Sequence, residues 1–478
     1  NNASLQPAII NAIHTFVTEL DFSDMDESED VMIAIVETLR DAIMIDTRIC
    51  LTGSGLDVLF TIASWCAVNY QIYILIAETF EDISETLSGA GPEVYTQLCA
   101  KVLPSLSGAF DVANLTDENS LTNLAADMLS DLAKNGPSPL PQGFIVTIMP
   151  KLTRLLLESP DEELLKSATS GTRYMLEKDP EQMFNWANHD GKNGLEVILV
   201  IIDRLLGPSV DDNAAGEVGG LAAALVEKAG SDRLGPYLTQ LLSAVAYRLS
   251  TATQTQVIQS LILVFARLSL LSAREVVDFL AQLAIGEESG LQVVLTKWLE
   301  NSINFAGYDE IRQNIIALSR LYDLHDPRLD NVQVKGDMIM PTSTRIMTRS
   351  RARANPDQYT IIPASLKIVK ILVDELLANN VSRSVETLAP ASELEKAESV
   401  GSGDSDWEDD DGFLDLGTGM TKEALMGMVA DDMPSRSRDD ETQGYLLQWF
   451  ATKAQEDGFG QVFAQLTPSE QEKLRSMA

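Results

Sequence analysis

Histidine and cysteine are almost missing from this chain, with three of each in 478 residues. His14, His189 and His325 stand far apart, and none has an acidic or cysteine neighbour at ligand spacing, so neither a catalytic relay nor a metal site is expected. Cys50, Cys66 and Cys99 share no metal spacing and no paired framework. They read as reduced, buried, small residues, which suits cytosol or nucleus. Aromatic residues are scarce at 6%, while the 45% of apolar residues is mostly Leu, Ala, Ile and Val, a balance that favours helix packed on helix. Gly53-Ser-Gly55 and Gly417-Thr-Gly419 lack both the full nucleotide-binding fingerprint and a preceding strand. No enzyme and no cofactor are expected.

Positive charge is the other shortage. Against 71 acidic side chains stand 35 basic ones, and a net charge of −36 repels phosphate across the whole surface, so direct nucleic-acid binding is excluded and a basic protein partner is favoured. One uncharged run, Val58 to Ala77, is long enough to cross a membrane. Ser64, Asn69 and Gln71 interrupt it and no basic flank orients it, so it reads as a buried helical hairpin and no membrane is expected.

What fills the chain is helical period. From Leu5 to Tyr322 apolar positions recur at helix spacing in blocks separated by short polar or Gly/Pro breaks. Leu238, Leu241, Leu242, Val245 and Leu249 make one stripe and Val257, Ile258, Leu261, Ile262, Phe265 and Leu268 the next, across Ser250-Thr-Ala-Thr-Gln, which predicts antiparallel neighbours. The segments around Arg154, Arg204 and Arg248 line up as Arg-Leu pairs at steps of 50 and 44 residues, the range of HEAT-type repeats. A hairpin with one apolar face cannot bury it alone, so repeats stack. The expected fold is an all-α HEAT-repeat solenoid, a superhelical array of antiparallel helix pairs.

Two stretches break this rhythm. The organisation expected is HEAT repeats over 1–324, a long basic inter-repeat loop over 325–357, a HEAT helix over 358–385, an acidic disordered insertion over 386–441 and C-terminal capping helices over 442–478. Thr467-Pro468-Ser-Glu470 carries a helix start signal. Within the basic loop lie Arg345, Arg349, Arg351 and Arg353. Their guanidinium groups suit acidic spots on a partner or the chain's own acidic stretch, and a solvated loop or a sparse nuclear-localisation patch is also compatible with them. The insertion holds 17 acidic and 4 basic residues, over a third of the chain's net charge. Its centre, Asp404, Asp406, Trp407, Glu408, Asp409, Asp410, Asp411 and Asp415, places a large ring inside the charge, with Phe413 and Leu414 alongside. Acid that steers and a ring that desolvates is how a segment engages a basic protein. Glu19 to Asp30 is a further acidic run, either a solvated turn or an extra patch for the same partner.

Several segments also carry a family resemblance. Trp186-Ala-Asn-His189-Asp before Asn193-Gly-Leu195, Val257 to Ala266, Val334-Lys-Gly336, and above all Arg345 to Pro363 leading into Leu366 to Leu372 and then Asp406-Trp407-Glu408-Asp409, are similar to the C-terminal half of the importin-9 branch of the karyopherin-β nuclear import receptors. The resemblance implies a receptor that moves between cytoplasm and nucleus, binds core histone dimers and other basic nuclear cargo, and shields them from DNA in the manner of a chaperone. It implies passage through pores on Phe-Gly repeat proteins. It also implies binding of Ran-GTP mainly through N-terminal repeats that are expected to be absent from a chain starting at Asn1. The four arginines and the acidic cluster at 404–415 take the cargo-binding role by this resemblance. A HEAT scaffold of a multiprotein assembly, with no transport cycle, is the competing reading.

Overall fold

The computed structural model describes residues 2–19, 29–305, 307–339, 358–386, 440–456 and 458–476, and the chain divides into two compact units, Asn1–Asn304 and Phe305–Ala478.

The first unit is a succession of helix pairs: α1 (Asn2–Glu19), α2 (Glu29–Ile45), the short α3 (Ile49–Thr52), α4 (Gly55–Cys66), α5 (Tyr70–Gly89), α6 (Pro92–Ala109), α7 (Ser120–Asn135), α8 (Phe144–Glu158), α9 (Glu162–Lys178), the short α10 (Pro180–Asn185), α11 (Gly194–Leu206), α12 (Val218–Thr251), α13 (Thr255–Gln282) and α14 (Gly290–Asn301). Between the last two helices, β1 (Ala284–Ile285) and β2 (Glu288–Ser289) form a small antiparallel ribbon. The uncharged run at Val58 to Ala77 is the α4–α5 hairpin, turned at Asn69. Helix α12 is two helices in one span, broken where Gly230 (φ 65°) and Gly235 leave the helical region, with Pro236 opening the second half. That second half and α13 are the antiparallel pair read from the two apolar stripes.

Local chemistry starts the second helix of each pair. The side chains of Asn69, Asn119 and Asp161 each accept the amide three residues on, satisfying one of the N–H groups that α5, α7 and α9 leave open. Each helix buries one face. In α5 that face is Ile72, Ile76, Thr79, Phe80, Ile83 and Leu87, a spacing that leaves the opposite side free for charge. The helices pack in two rows, α5 on α7, α7 on α9 and α9 on α12 in one, α6 on α8 and α8 on α11 in the other. Where α12 crosses α13, Gly219 lies so close that a Cβ there would sit 2.1 Å from the Ser260 carbonyl carbon, so only glycine permits that approach.

The arginine alignment has a physical basis. Arg154 donates to the Val112 carbonyl at 2.8 Å, Arg204 to the carbonyls of Leu156 and of Ser159 (2.6 Å), and Arg248 to the Val210 carbonyl at 2.8 Å. Lys297 on α14 continues the series by donating to the Ala252 carbonyl at 2.8 Å. Each cation on the first helix of a pair thus satisfies carbonyls in the turn of the pair before it, which carry the negative end of a helix dipole. This is a nearest-neighbour tie, the kind of contact on which a repeat stack depends.

The second unit contains α15 (Tyr308–Asp323), the short α16 (Pro327–Asn331), an antiparallel ribbon of β3 (Gln333–Met338) and β4 (Tyr359–Pro363), α17 (Ala364–Glu386), α18 (Asp440–Lys453), α19 (Phe459–Phe463) and α20 (Pro468–Arg475). Two sequence-based expectations change here. The stretch 325–357 is not a loop throughout, since 327–331 is helical and 333–338 is strand. The HEAT helix expected over 358–385 starts instead at Ala364, because Thr360, Ile361 and Ile362 are β-branched and precede Pro363, which disfavours helical backbone before it. Helix α15, read as the last part of the array, packs within this unit. Its Ser319 hydroxyl meets Tyr445 at 2.6 Å, and Asp323 takes the Trp449 indole N–H at 3.2 Å and the Lys453 ammonium at 2.9 Å. Thr467 and Glu470 form the reciprocal cap expected for α20, with Pro468 in its first turn.

Candidate functional site

The sequence-based cargo residues Arg345, Arg349, Arg351 and Arg353, and Asp404, Asp406, Trp407, Glu408, Asp409, Asp410, Asp411 and Asp415, lie outside the described residues, as does most of the acidic run Glu19 to Asp30. What is described of the basic stretch is its base. Lys335 pairs across the ribbon with Ile361, Met338 with Tyr359, and the Ile339 amide donates to the Gln358 carbonyl at 2.7 Å, so the two ends of 340–357 are held side by side.

Among the described residues, acidic side chains gather on α5, α7 and α9. Helix α5 carries Glu78, Glu81, Asp82 and Glu85 and no basic residue. Helix α7 adds Asp127 and Asp131, and α9 adds Glu163. Because these three helices lie side by side in one row, their polar faces merge. They border an open cleft of about 420 Å³ lined by Tyr73, Glu78, Glu81, Asp127, Asp131, Glu163, Lys166 and Glu217 among others.

The cleft is built, not merely charged. Asp127 sits at its centre and accepts from the Tyr73 hydroxyl on α5 and the Ser167 hydroxyl on α9, tying three helices through one carboxylate. Burial and the neighbouring Asp127 push the Tyr73 phenol far up, so it remains a donor. At the rim Arg40 pairs with Asp82 at 2.6 Å and Glu78 at 3.2 Å, and Lys134 with Glu81 at 3.2 Å. Those pairs are part-exposed and add little stability. Asp131 differs. Burial, then the charges of Glu81 and Asp127, push its carboxyl up to about 7 in spite of Lys134. At neutral pH the site therefore holds a carboxyl close to half-ionised, which an incoming cation would draw fully into the charged form.

Asp131 gives a pH signature. Its folded pKa lies above the unfolded value, so the native state holds the extra proton, and its favourable contribution is complete below about pH 4 and lost as pH rises through about 7. Asp131→Asn should raise the first unit's melting temperature by about 2–4 °C near pH 8 and leave it unchanged near pH 4. Equal shifts at both pH values in a thermal melt would show that the carboxyl ionises normally.

The opposite row is different in character. Helices α6, α8 and α11 balance acid with Lys and Arg, most of the cations being committed to the carbonyl ties. Between α11 and the second half of α12 runs a cleft of about 320 Å³ lined by Leu199, Val200, Ile202, Leu206, Tyr237 and Leu241, with Val200 and Tyr237 exposed. Among the described residues no group of His, Cys, Asp or Glu is placed to hold a metal ion, and the three cysteines are buried thiols not joined in disulfides, with burial pushing Cys50 and Cys99 up to about 12 and Cys66 to about 11. Such thiols are inert. Sequence reading missed the α5–α7–α9 face. A usable signal was present in α5, where Glu78, Glu81, Asp82 and Glu85 recur three and four apart with no basic residue between them.

A profile of Importin-9 central HEAT repeats matches residues 1–67. Importin subunit beta-5 of Schizosaccharomyces pombe is 28% identical over 98% of this chain and 45% of its own length, and Importin-9 of Drosophila melanogaster is 27% identical over 76% of this chain and 36% of its own. The chain thus spans less than half the length of these relatives. Among solved structures, Kap121p bound to Nup53p aligns over 99% of this chain and 53% of that one, at 13% identity and a TM-score of 0.38. The chain is similar to Importin subunit beta-5 over nearly its whole length and to Importin-9 over about three quarters of it, both karyopherin-β proteins.

Proposed function

We propose that this chain is the cargo-holding portion of a nuclear import receptor that takes core histone dimers and other basic nuclear proteins and shields them from DNA. The observation that carries this reading is the α5–α7–α9 face, where carboxylates from three helices open on one cleft. Lysine and arginine side chains of a histone would otherwise meet DNA phosphates, and a fixed array of carboxylates competes for the same groups. The acidic balance of the whole chain steers the encounter, and close pairs in the cleft prolong it. The arginines at 345–353 and the acidic cluster at 404–415 join the cargo contact in this reading. The apolar cleft between α11 and α12, with its exposed Tyr237, favours an aromatic guest and is assigned to the Phe-Gly repeats of pore proteins. Movement between cytoplasm and nucleus follows from both assignments.

Salt dependence tests the cargo half of the proposal. Binding of purified core histone dimers, followed by fluorescence anisotropy, should weaken by on the order of ten-fold or more as salt rises from about 0.05 to 0.3 M. An affinity that stays flat across that range would remove the electrostatic basis.

A further inference from the structure

The second unit holds a cavity of about 380 Å³ where the C-terminal ends of α15 and α18 meet α16, α19 and the start of α17. That is the size of a small-ligand site. Rings stiffen one side of it: His325 meets Tyr322 edge to face at 6.0 Å, Tyr322 meets Trp449 at 5.5 Å, Trp449 meets Phe450 at 4.9 Å and Phe450 meets Phe459 at 6.4 Å. Of this train His325, Tyr322 and Phe459 line the cavity, with the buried Leu329. His325 is held there by a left-handed backbone (φ 48°), alone in this among the described non-glycine residues. Such a conformation persists only where the surroundings impose it.

Three carboxylates also border the space, and they differ in what they have left to offer. Asp326 is buried and committed, taking Nε of Arg328 at 2.9 Å and Nη2 at 2.6 Å. Asp330 is exposed and accepts the Ser365 hydroxyl through Oδ1. Glu456 accepts from the Lys453 ammonium through Oε1 at 2.7 Å, while its Oε2 lies 3.9 Å from His325 Nε2, beyond hydrogen-bond length. An ionised carboxylate offers about four lone-pair sites, so Asp330 and Glu456 both retain acceptor capacity beside a wall of rings.

We infer that this cavity is a binding site for an arginine side chain of a peptide partner, the guanidinium lying against the Tyr322 ring and its N–H groups reaching Asp330 and Glu456. Other guests fit worse. An anion would meet like charge, and an apolar group would strip water from Asp330 and Glu456 without replacing it. A lysine ammonium is a hydrated point charge, which cannot offer a flat face to a ring and a fork of donors to carboxylates at once. The chain already uses the same pairing next to the cavity. Lys453, buried and outside the lining, sets its ammonium 6.0 Å from the Tyr322 centroid and 5.7 Å from that of Trp449 while it binds Asp323 and Glu456. Rings and carboxylates together thus hold one cation in this part of the unit, and the cavity presents both to a second. All of its lining lies in the second unit, so the site holds or fails independently of what the α5–α7–α9 face binds.

The test uses the full 478-residue chain, isotope-labelled at its three histidines, with the ring signals followed by NMR. Salt of about 0.15 M screens general attraction to the acidic surface beyond about 8 Å. The probes are Nα-acetyl-arginine amide and its uncharged analogue Nα-acetyl-citrulline amide. The arginine probe should move the His325 signal, identified by its loss in His325→Gln, along a saturable curve and leave His14 and His189 in place. A Kd on the order of millimolar is the ordinary strength for so small a ligand. Citrulline should bind about ten-fold more weakly, and Asp330→Asn and Glu456→Gln should each weaken the arginine probe about three-fold or more. Asp330→Asn keeps an acceptor for Ser365, so it carries the comparison even where Glu456→Gln loosens α18 by releasing Lys453. Equal movement of all three histidines, a response without saturation, citrulline binding as well as arginine, or variants that bind as the parent does would overturn the inference.

Discussion

Arg248→Ala is expected to destabilise the first unit by about 3–5 kcal/mol, the range for breaking a buried, hydrogen-bonded ion pair from one side. Arg248 is 9% exposed and donates to the Gly207 and Val210 carbonyls and to Asp212 at 3.0 Å. Asp212 in turn accepts from the Thr253 amide at 2.6 Å, the Thr253 hydroxyl at 2.9 Å and the Gln254 amide at 3.0 Å. One guanidinium therefore joins the turn before α12 to the turn before α13. Removing it leaves two carbonyls and a carboxylate short of a donor. Burial works against the ionised Asp212, yet the Thr253 and Gln254 amides and Arg248 hold its carboxyl below the usual range. The stability it adds is present above about pH 4 and is lost as the pH falls through its lowered folded pKa. Arg248→Lys should recover only part, because an ammonium cannot fork between carbonyl and carboxylate. Urea unfolding followed by circular dichroism measures this, and a loss below about 1 kcal/mol would show that the ties are incidental to the stack.

Much of this scaffold is legible in the amino-acid string. Period located the helices, Thr467-Pro468-Ser-Glu470 marked the start of α20, and Arg154, Arg204 and Arg248 betrayed the repeat, because each feature depends on residues close in sequence or on a recurring step. Strand β4 escaped since four residues of Tyr, Thr and Ile beside Pro fit a helix entry as well as a strand until the partner strand is known. The acidic cleft escaped for a deeper reason. Glu81, Asp131 and Glu163 are separated by 50 and 32 residues, and nothing local says that their helices share a row. Long-range adjacency is a property of stacking, and only the stack brings Tyr73, Asp127 and Ser167 into one hydrogen-bonded group. The arginines and acids that sequence reasoning singled out were conspicuous because they interrupt the rhythm, whereas the carboxylates of α5, α7 and α9 hide within it.

The largest functional effect is expected from the variant Glu78→Gln, Glu81→Gln, Asp131→Asn, Glu163→Gln. Three carboxylates and the half-ionised Asp131 leave one face, and each substitution keeps the size of its side chain, so the fold has little reason to change. Electrostatic steering by a patterned surface is worth between ten-fold and a thousand-fold in association rate, and close pairs act on dissociation as well. A control removes as much charge from the first helices of the pairs, through Asp57→Asn, Glu93→Gln, Glu158→Gln and Asp203→Asn on α4, α6, α8 and α11. The control removes at least as much charge as the cleft variant, because Asp131 is only about half-ionised at neutral pH, so a larger loss in the cleft variant reports position. The decisive measurement is the stopped-flow association rate of core histone dimers with each variant at low salt. A fall of about ten-fold or more for the α5–α7–α9 variant, with the control within about two-fold of the parent, is expected. Equal losses in the two variants, or none in the first, would contradict a cargo site on that face.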